Sequence, residues 1–372
     1  MQTLLKGTKR IVIKVGTSTL TTKQGLLDTP KIIRLVQTIS GLKADGFEVA
    51  LVTSGAIGAG MGVMGLEQRP KTLSQKQAVA AVGQVALTHL YQQLFSYQHH
   101  VTGQLLLTKA DFADRTRYLN ARNVCLTLLS QGIIPIINEN DAVVADEIKV
   151  GDNDTLSALV SGLVDADVLI ILSDIAGLYT ANPHRDKTAI FIPKVTEITA
   201  EIHAMAGGEG SIFGTGGMKT KITAAEMATK KGAHVIIASG EHPEAIRSFF
   251  TIGGRATIFC KQEKKIAPRK YWLAYGAKTD GNIQLDGGAI AAIKSGKSIL
   301  PAGVIACKGS FVRGSVIEII DSDEVSIAKG ISHYSSTEIA AIKGAQSREI
   351  EGILGYRYDD EIIHYDNLII LK

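Results

Sequence analysis

The sequence predicts an α/β protein whose mainly parallel central sheet is covered by helices on both faces, followed by a small barrel-like α+β domain. Three observations predict this. Between residues 9 and 258, short β-branched runs alternate with stretches of helical periodicity, as repeated βαβ units do. A charged stretch, "KQEKKIAPRK" at 261 to 270, breaks the alternation. Beyond it come short strands separated by glycine turns.

The first unit opens with "RIVIKVG", a β-branched run stopped by glycine. Asp28, Pro30 and the periodic Ile32, Ile33, Val36 and Ile39 then announce a helix, which Gly46 ends before the strand "FEVALVT". Ser74 and Gln77, in capping-box spacing, start a helix to about Phe95, and "VTGQLLLT" returns as a strand. A helix near 120–131, the strand "GIIPIIN", a helix after Asp154, the strand "VLIILS", a helix from Lys219 to Lys231 and the strand "HVIIAS" continue the pattern. Pro135 cannot donate to a ladder and sits awkwardly in a central strand. "AVVADEIKV" alternates weakly, as a hairpin beside the sheet would. In the tail, "GNIQLDGG", "CKGSFVRGSVIEII" and "SIAKGISHY" read as strands, and "GAIAAIKSG" and "SSTEIAAIKG" as helices. The expected division is 1–260, a linker at 261–275 and a tail domain at 276–372.

With 372 residues the chain is long enough for two or three domains, and 45% hydrophobic and 20% charged residues describe an ordinary soluble globular protein. The first apolar run, Ile11 to Val15, is short and contains Lys14, so a cytoplasmic protein without signal peptide or membrane span is expected. Cys125, Cys260 and Cys307 are too scattered for a disulfide framework or a CxxC metal site. His99 and His100 are the only close histidines, and adjacent residues cannot share a helix face. No protein-held metal is expected; a metal would arrive with a nucleotide.

Ligands of open α/β sheets bind beyond the carboxyl ends of the strands. There the loops are unusually polar: "KVGTST" at 14 to 19, "TSGAIGAG" at 53 to 60, "NENDAV" at 138 to 143 and "SDIAGLYTANP" at 173 to 183. "GTGGMKTK" at 214 to 221 enters a helix, where free N–H groups favour an anion. It is no Walker loop, because Lys219 stands where the second glycine belongs. Lys14 is a cation within a five-residue apolar strand and must be paired or reach the strand end; beside a glycine turn it suits phosphate. Asp152, Asn153 and Asp154 are equally readable as helix caps or as site residues.

Six segments in order, "IVIKVGTSTLT", "VTSGAIGAG", "INENDAV", "KVGDND", "LSDIAGLYTANP" and "GTGGMKTK", closely resemble the glutamate 5-kinases of the amino acid kinase family, and the tail resembles their PUA domain. The resemblance implies an αβα sandwich that moves the γ-phosphoryl of ATP, with Mg²⁺, onto the side-chain carboxylate of glutamate, opening proline synthesis. It implies that Lys14 and Lys221 neutralise the transferring group and that Asp174 positions both amines. Ser173, Asp174 and the loop Thr215, Gly216, Gly217, Met218, Lys219, Thr220 and Lys221 would line the ATP site. Ser54, Asp141 and Asn153 would hold glutamate, with Asn138 and Asp154 close by. Homo-oligomers, feedback inhibition by proline and a separate glutamyl-5-phosphate reductase are implied as well.

The chemistry fits these residue types. A glutamate side chain of pKa about 4.3 is already ionised, so the acceptor needs no general base. The requirement is alignment of two anions and neutralisation of phosphoryl charge. Ser173 stands where the family has threonine and keeps the hydroxyl, and of Lys219 and Lys221 the family pattern favours the second. The rivals are other acceptors on the same fold, N-acetylglutamate, aspartate or UMP, and an RNA-binding role for the tail. Residues 270–372 hold 11 Lys+Arg against 13 Asp+Glu, a poor footprint for nucleic acid.

Overall fold

The computed structural model describes all residues except 23–25, 144–151, 184, 207–216, 264–265 and 372. The proposed hairpin at 142–150 and the loop residues Gly214, Thr215 and Gly216 therefore lie wholly or mostly outside the described residues. Two compact units emerge: Met1–Asp111 with Thr116–Ile266, and Phe112–Arg115 with Ala267–Lys372.

In chain order the elements are β1 (Arg10–Val15), α1 (Thr17–Leu20), α2 (Thr29–Ala44), β2 (Glu48–Thr53), α3 (Ala56–Met64), α4 (Leu73–Tyr97), β3 (Thr102–Leu107), α5 (Lys109–Ala113) and α6 (Arg115–Ser130). They continue with β4 (Ile134–Glu139), α7 (Asn153–Leu163), β5 (Val168–Ser173), β6 (Leu178–Tyr179), β7 (Phe191–Ile192), β8 (Lys194–Val195), α8 (Ala200–Met205), α9 (Met218–Lys231), β9 (His234–Ser239), α10 (Ala245–Thr251) and β10 (Ala256–Phe259). The second unit holds α11 (Pro268–Tyr275), β11 (Gly281–Leu285), α12 (Gly287–Lys294), β12 (Val304–Gly309), β13 (Val316–Ile320), β14 (Ser326–Ile331), α13 (Ser336–Ile342), α14 (Ile350–Leu354) and β15 (Leu368–Ile370).

The large sheet has the order β3-β4-β2-β1-β5-β9-β10-β8. β3, β4, β2, β1, β5 and β9 are all parallel, and β10 runs antiparallel to β9. β1 is central and pairs with β2 and β5 along its length. Its Ile11, Ile13 and Val15 join one core with Ile32, Val36 and Ile39 of α2, Leu87, Tyr91 and Phe95 of α4, and Phe249 of α10. Alternation along the strand then turns Val12 and Lys14 to the opposite face, where α7 lies against β1 and β5 and α9 against β9. Helices on both faces make three layers.

Local signals act mostly where the sequence puts them. Asp28 caps α2 by accepting from the Lys31 N–H at 3.2 Å. The capping box of α4 is Thr72 with Gln75, two residues before the expected pair, and both reciprocal bonds are 3.3 Å. Pro135 fits because it is the second residue of β4 and pairs with Gly103 of β3, whereas pairing with β2 begins at Ile136. Part of the expected linker is helical: Pro268 opens α11 at its first position, where a missing N–H costs nothing, and Tyr271, Trp272 and Leu273 are buried.

In the second unit one sheet of order β12-β11-β13-β14-β15 packs on α12, α13 and α14. Its last strand comes from the final residues, which the sequence reading left unassigned. Among the described residues no helix is long and apolar enough to cross a membrane.

Candidate functional site

Strand parallelism gathers the polar loops at one end of the large sheet. Lys14 is the penultimate residue of β1, Ser54 follows β2, Asn138 and Glu139 end β4, and Ser173 ends β5. The first turns of α3, α7 and α9 start at this end, so their unpaired N–H groups make it attractive to anions.

At the centre is one carboxylate between two lysines. Asp154, second residue of α7, is 1% exposed. Its Oδ1 lies 2.6 Å from Lys14 Nζ and its Oδ2 3.1 Å from Lys221 Nζ. Thr220 donates its hydroxyl to the same Oδ2 at 2.8 Å. Lys14 and Lys221 are 6% and 7% exposed, so all three charges are withdrawn from water. Burial alone would raise the Asp154 pKa, but the charges of Lys14 and then Lys221, with hydrogen bonds from Lys14 and Thr220, hold it well below the usual carboxylate range. Gly16 leaves room for this arrangement: a Cβ there would stand 3.2 Å from Lys14 Nζ.

The carboxylate that the structure sets between the two lysines is Asp154, whereas the resemblance implied Asp174. Asp174 accepts a hydrogen bond from Ser173 Oγ at 2.9 Å, and among the described residues no ion pair joins it to either lysine. It leaves β5, whereas the α7 first turn aims Asp154 at the amine that β1 carries. Lys219 and Lys221 are two residues apart on α9 and face different ways. Lys219 is exposed and Lys221 buried, on the face with Ile222, Ala224, Ala225 and Ala228. Gly217 is the N-cap of α9 and Met218 its first residue; Thr215 and Gly216 lie outside the described residues.

Beside the lysines a cavity of about 170 Å³ is lined by Ser54, Asn138, Asp141 and Asn153, as the sequence suggests, and by Arg69, Lys76, Glu139 and Asp152, which it did not single out as ligands. Asn153 anchors this wall. Its Nδ2 lies within hydrogen-bond distance of Thr53 O, Ser54 Oγ and Asn138 Oδ1, at 2.8, 2.7 and 3.0 Å. Asn138, 1% exposed, donates its own Nδ2 to Gln84 at 2.8 Å and accepts from the Glu139 N–H at 2.9 Å. It braces Asn153 rather than offering a free group. Asp152 is the N-cap of α7, accepting from the Thr155 N–H at 2.8 Å; burial raises its pKa, opposed chiefly by that bond. Arg69 and Lys76 come from the α3–α4 connection and the first turn of α4, where nothing in local periodicity marks them. Its lining combines the carboxylates of Glu139, Asp141 and Asp152 with the cations Arg69 and Lys76, a mixed charge that suits a small zwitterion with an extra carboxylate.

Among the described residues no cluster of three or more His, Cys, Asp or Glu side chains could hold a metal ion. Two buried lysines with three helix N-termini suit polyphosphate, whose oxygens bring their own metal sites.

A profile of the amino acid kinase family matches residues 9–239, and one of the PUA domain residues 281–354. A glutamate 5-kinase of Moorella thermoacetica is 52% identical over 368 residues, 99% of this chain and 97% of the relative. A glutamate 5-kinase of Cupriavidus taiwanensis is 46% identical over 372 residues, all of both chains. The solved carbamate kinase of Giardia lamblia bound to AMP-PNP is similar with a TM-score of 0.50 at 16% identity, covering 69% of this chain and 99% of that one, a likeness of fold alone.

Proposed function

We propose, for a chain that belongs to the amino acid kinase family and within it to the glutamate 5-kinases, that it transfers the γ-phosphoryl group of ATP to the side-chain carboxylate of L-glutamate. The product would be L-glutamyl 5-phosphate, at the head of proline synthesis. The observation that supports this best is the buried carboxylate with a lysine on each oxygen, set beside a cavity of mixed charge.

In this reading Lys14 and Lys221 neutralise the phosphoryl oxygens as the bond to the leaving phosphate lengthens. Asp154 holds the two amines at fixed places, so little reorganisation accompanies the reaction. Ser173, Asp174 and the α9 entry, Gly217 to Lys219, line the nucleotide side. Mg²⁺, arriving on the nucleotide, would neutralise further phosphate charge. On the acceptor side Ser54 and Asn153 place the reacting carboxylate, and Asp141 meets the substrate ammonium. The acceptor is ionised near neutrality, so no residue is needed to take a proton. The same reading includes a cytoplasmic homo-oligomer, a reductase that consumes the reactive acyl phosphate, and proline as feedback inhibitor.

The test is an assay with ATP and Mg²⁺ over glutamate, N-acetylglutamate, aspartate and UMP, with hydroxylamine to trap acyl phosphates and ADP release measured in parallel. Hydroxamate from glutamate alone is expected; faster turnover with any other acceptor overturns the assignment. Within it, Asp141→Asn should raise the glutamate KM by about tenfold and leave kcat nearly unchanged, because the ammonium contact exists in ground and transition states alike. A fall in kcat at constant KM would remove Asp141 from substrate binding.

A further inference from the structure

We propose that Thr220 is a positioning residue, which fixes the two lysines by locking the carboxylate between them, and is not a ligand of the nucleotide. The inference rests on the kinase reading above and concerns how its charged centre is held.

Thr220 is the third residue of α9, and its Oγ1 lies 2.8 Å from Asp154 Oδ2 and 2.8 Å from the Gly217 carbonyl. Both neighbours are acceptors, and the hydroxyl has one hydrogen. The carboxylate makes the stronger, charge-assisted bond, while the Gly217 carbonyl, at the N-cap, has the first intrahelical N–H to accept. The hydrogen therefore belongs to Asp154. A threonine side chain in a helix has few χ1 choices, so this bond ties the carboxylate to the α9 backbone.

That tie matters because ion pairs tolerate rotation and a hydroxyl bond does not. Lys14 stands on Oδ1 and Lys221 on Oδ2. If the carboxylate turned about its own axis, both amines would follow and their spacing across the phosphoryl group would be lost. Thr220 shares Oδ2 with Lys221, its chain neighbour, and so couples the first turn of α9 to the first turn of α7. A nucleotide ligand at this position would need its hydroxyl free, and it is already committed to Asp154.

Thr220→Val keeps the shape and the branched Cβ and removes the hydrogen; Thr220→Ser keeps the hydrogen. With the full chain, glutamate-dependent hydroxamate formation and AMP-PNP binding by calorimetry are measured for both. The valine variant should lose about tenfold or more in kcat, as expected for a charge-assisted hydrogen bond felt in the transition state. Its KM for ATP and its AMP-PNP affinity should stay within about threefold of the parent, and serine should restore kcat to a similar margin. Weakened AMP-PNP binding with kcat intact would make Thr220 a nucleotide ligand. A serine variant as slow as valine, or a valine variant of normal rate, would also overturn the proposal. A parent protein that forms no hydroxamate from glutamate would sink the kinase reading instead, an outcome visible before any variant is compared.

Discussion

Asp154→Asn will lower kcat by about 10²–10³-fold, and Asp174→Asn by much less. Asparagine has nearly the shape of aspartate but no charge, so Lys14 and Lys221 keep their burial and lose their shared counter-ion. Two buried ammonium groups then repel one another and leave the positions in which they face the phosphoryl group. Removing one partner of a buried ion pair also costs about 3–5 kcal/mol of stability, because the remaining charge stays desolvated. Thermal unfolding at neutral pH should show that loss in Asp154→Asn. The difference between parent and variant should narrow in acid, for a reason of sign. The folded-state pKa of Asp154 is depressed, so its contribution is present above the ordinary carboxylate pKa of about 4 and fades only as pH falls below it. Steady-state kinetics in which Asp174→Asn is the more damaged variant would return the positioning role to Asp174.

How much of this site could be read in advance differs from residue to residue. Lys14 was legible because a lysine inside a five-residue apolar strand has few structural excuses. The triplet Asp152, Asn153 and Asp154 was not, since a helix first turn explains all three as caps. The structure divides the work: Asp152 caps α7, Asn153 reaches across to Thr53 and Ser54, and Asp154 meets the lysines. Successive helical residues point about 100° apart, so three adjacent polar residues serve three directions, and sequence does not say which. The expectation for Asp174 meets the same ambiguity. Both aspartates sit at the active end of the sheet, and only the packing of α7 against β1 puts one of them next to Lys14.

By contrast, the choice between Lys219 and Lys221 was available from periodicity. Lys221 shares the spacing i, i+3, i+4, i+7 with Ala224, Ala225 and Ala228 and so belongs to the buried face of α9. The antiparallel direction of β10, which lies between β9 and the edge strand β8, was hidden for a different reason: strand direction depends on spatial neighbours, which alternation along the chain does not encode. The helix α11 was masked by the charges around it, although Pro268 followed by an apolar triplet is a helix start.

Gly83→Ala will destabilise the first unit and impair acceptor binding together, although alanine is the better helix former. Gly83 lies within α4, where the exchange would by propensity alone gain about 1 kcal/mol. But a Cβ there would stand 1.7 Å from the Ala56 carbonyl oxygen and 2.3 Å from the Gly60 nitrogen, and a Cβ on Gly60 would meet the Val79 carbonyl oxygen at 2.0 Å. α3 and α4 touch backbone to backbone, and no side chain can swing aside to make room. The helices must separate, at a cost of about 3 kcal/mol, which corresponds to a fall of about 6–12 °C in Tm. α3 begins at Ala56, directly after Ser54 and Gly55, and Ala56, Ile57 and Gly58 line the acceptor cavity with Ser54. Displacing α3 therefore moves that wall while the Lys14–Asp154–Lys221 centre, held by β1, α7 and α9, stays in place. The glutamate KM should rise by about tenfold or more with a smaller change in the KM for ATP. Gly62→Ala in α3 is the control, since its Cβ would meet only the tip of Leu26 at 3.3 Å. Equal melting temperatures and equal glutamate KM values for Gly83→Ala and the parent would mean that the α3–α4 contact neither supports the fold nor shapes the acceptor cavity.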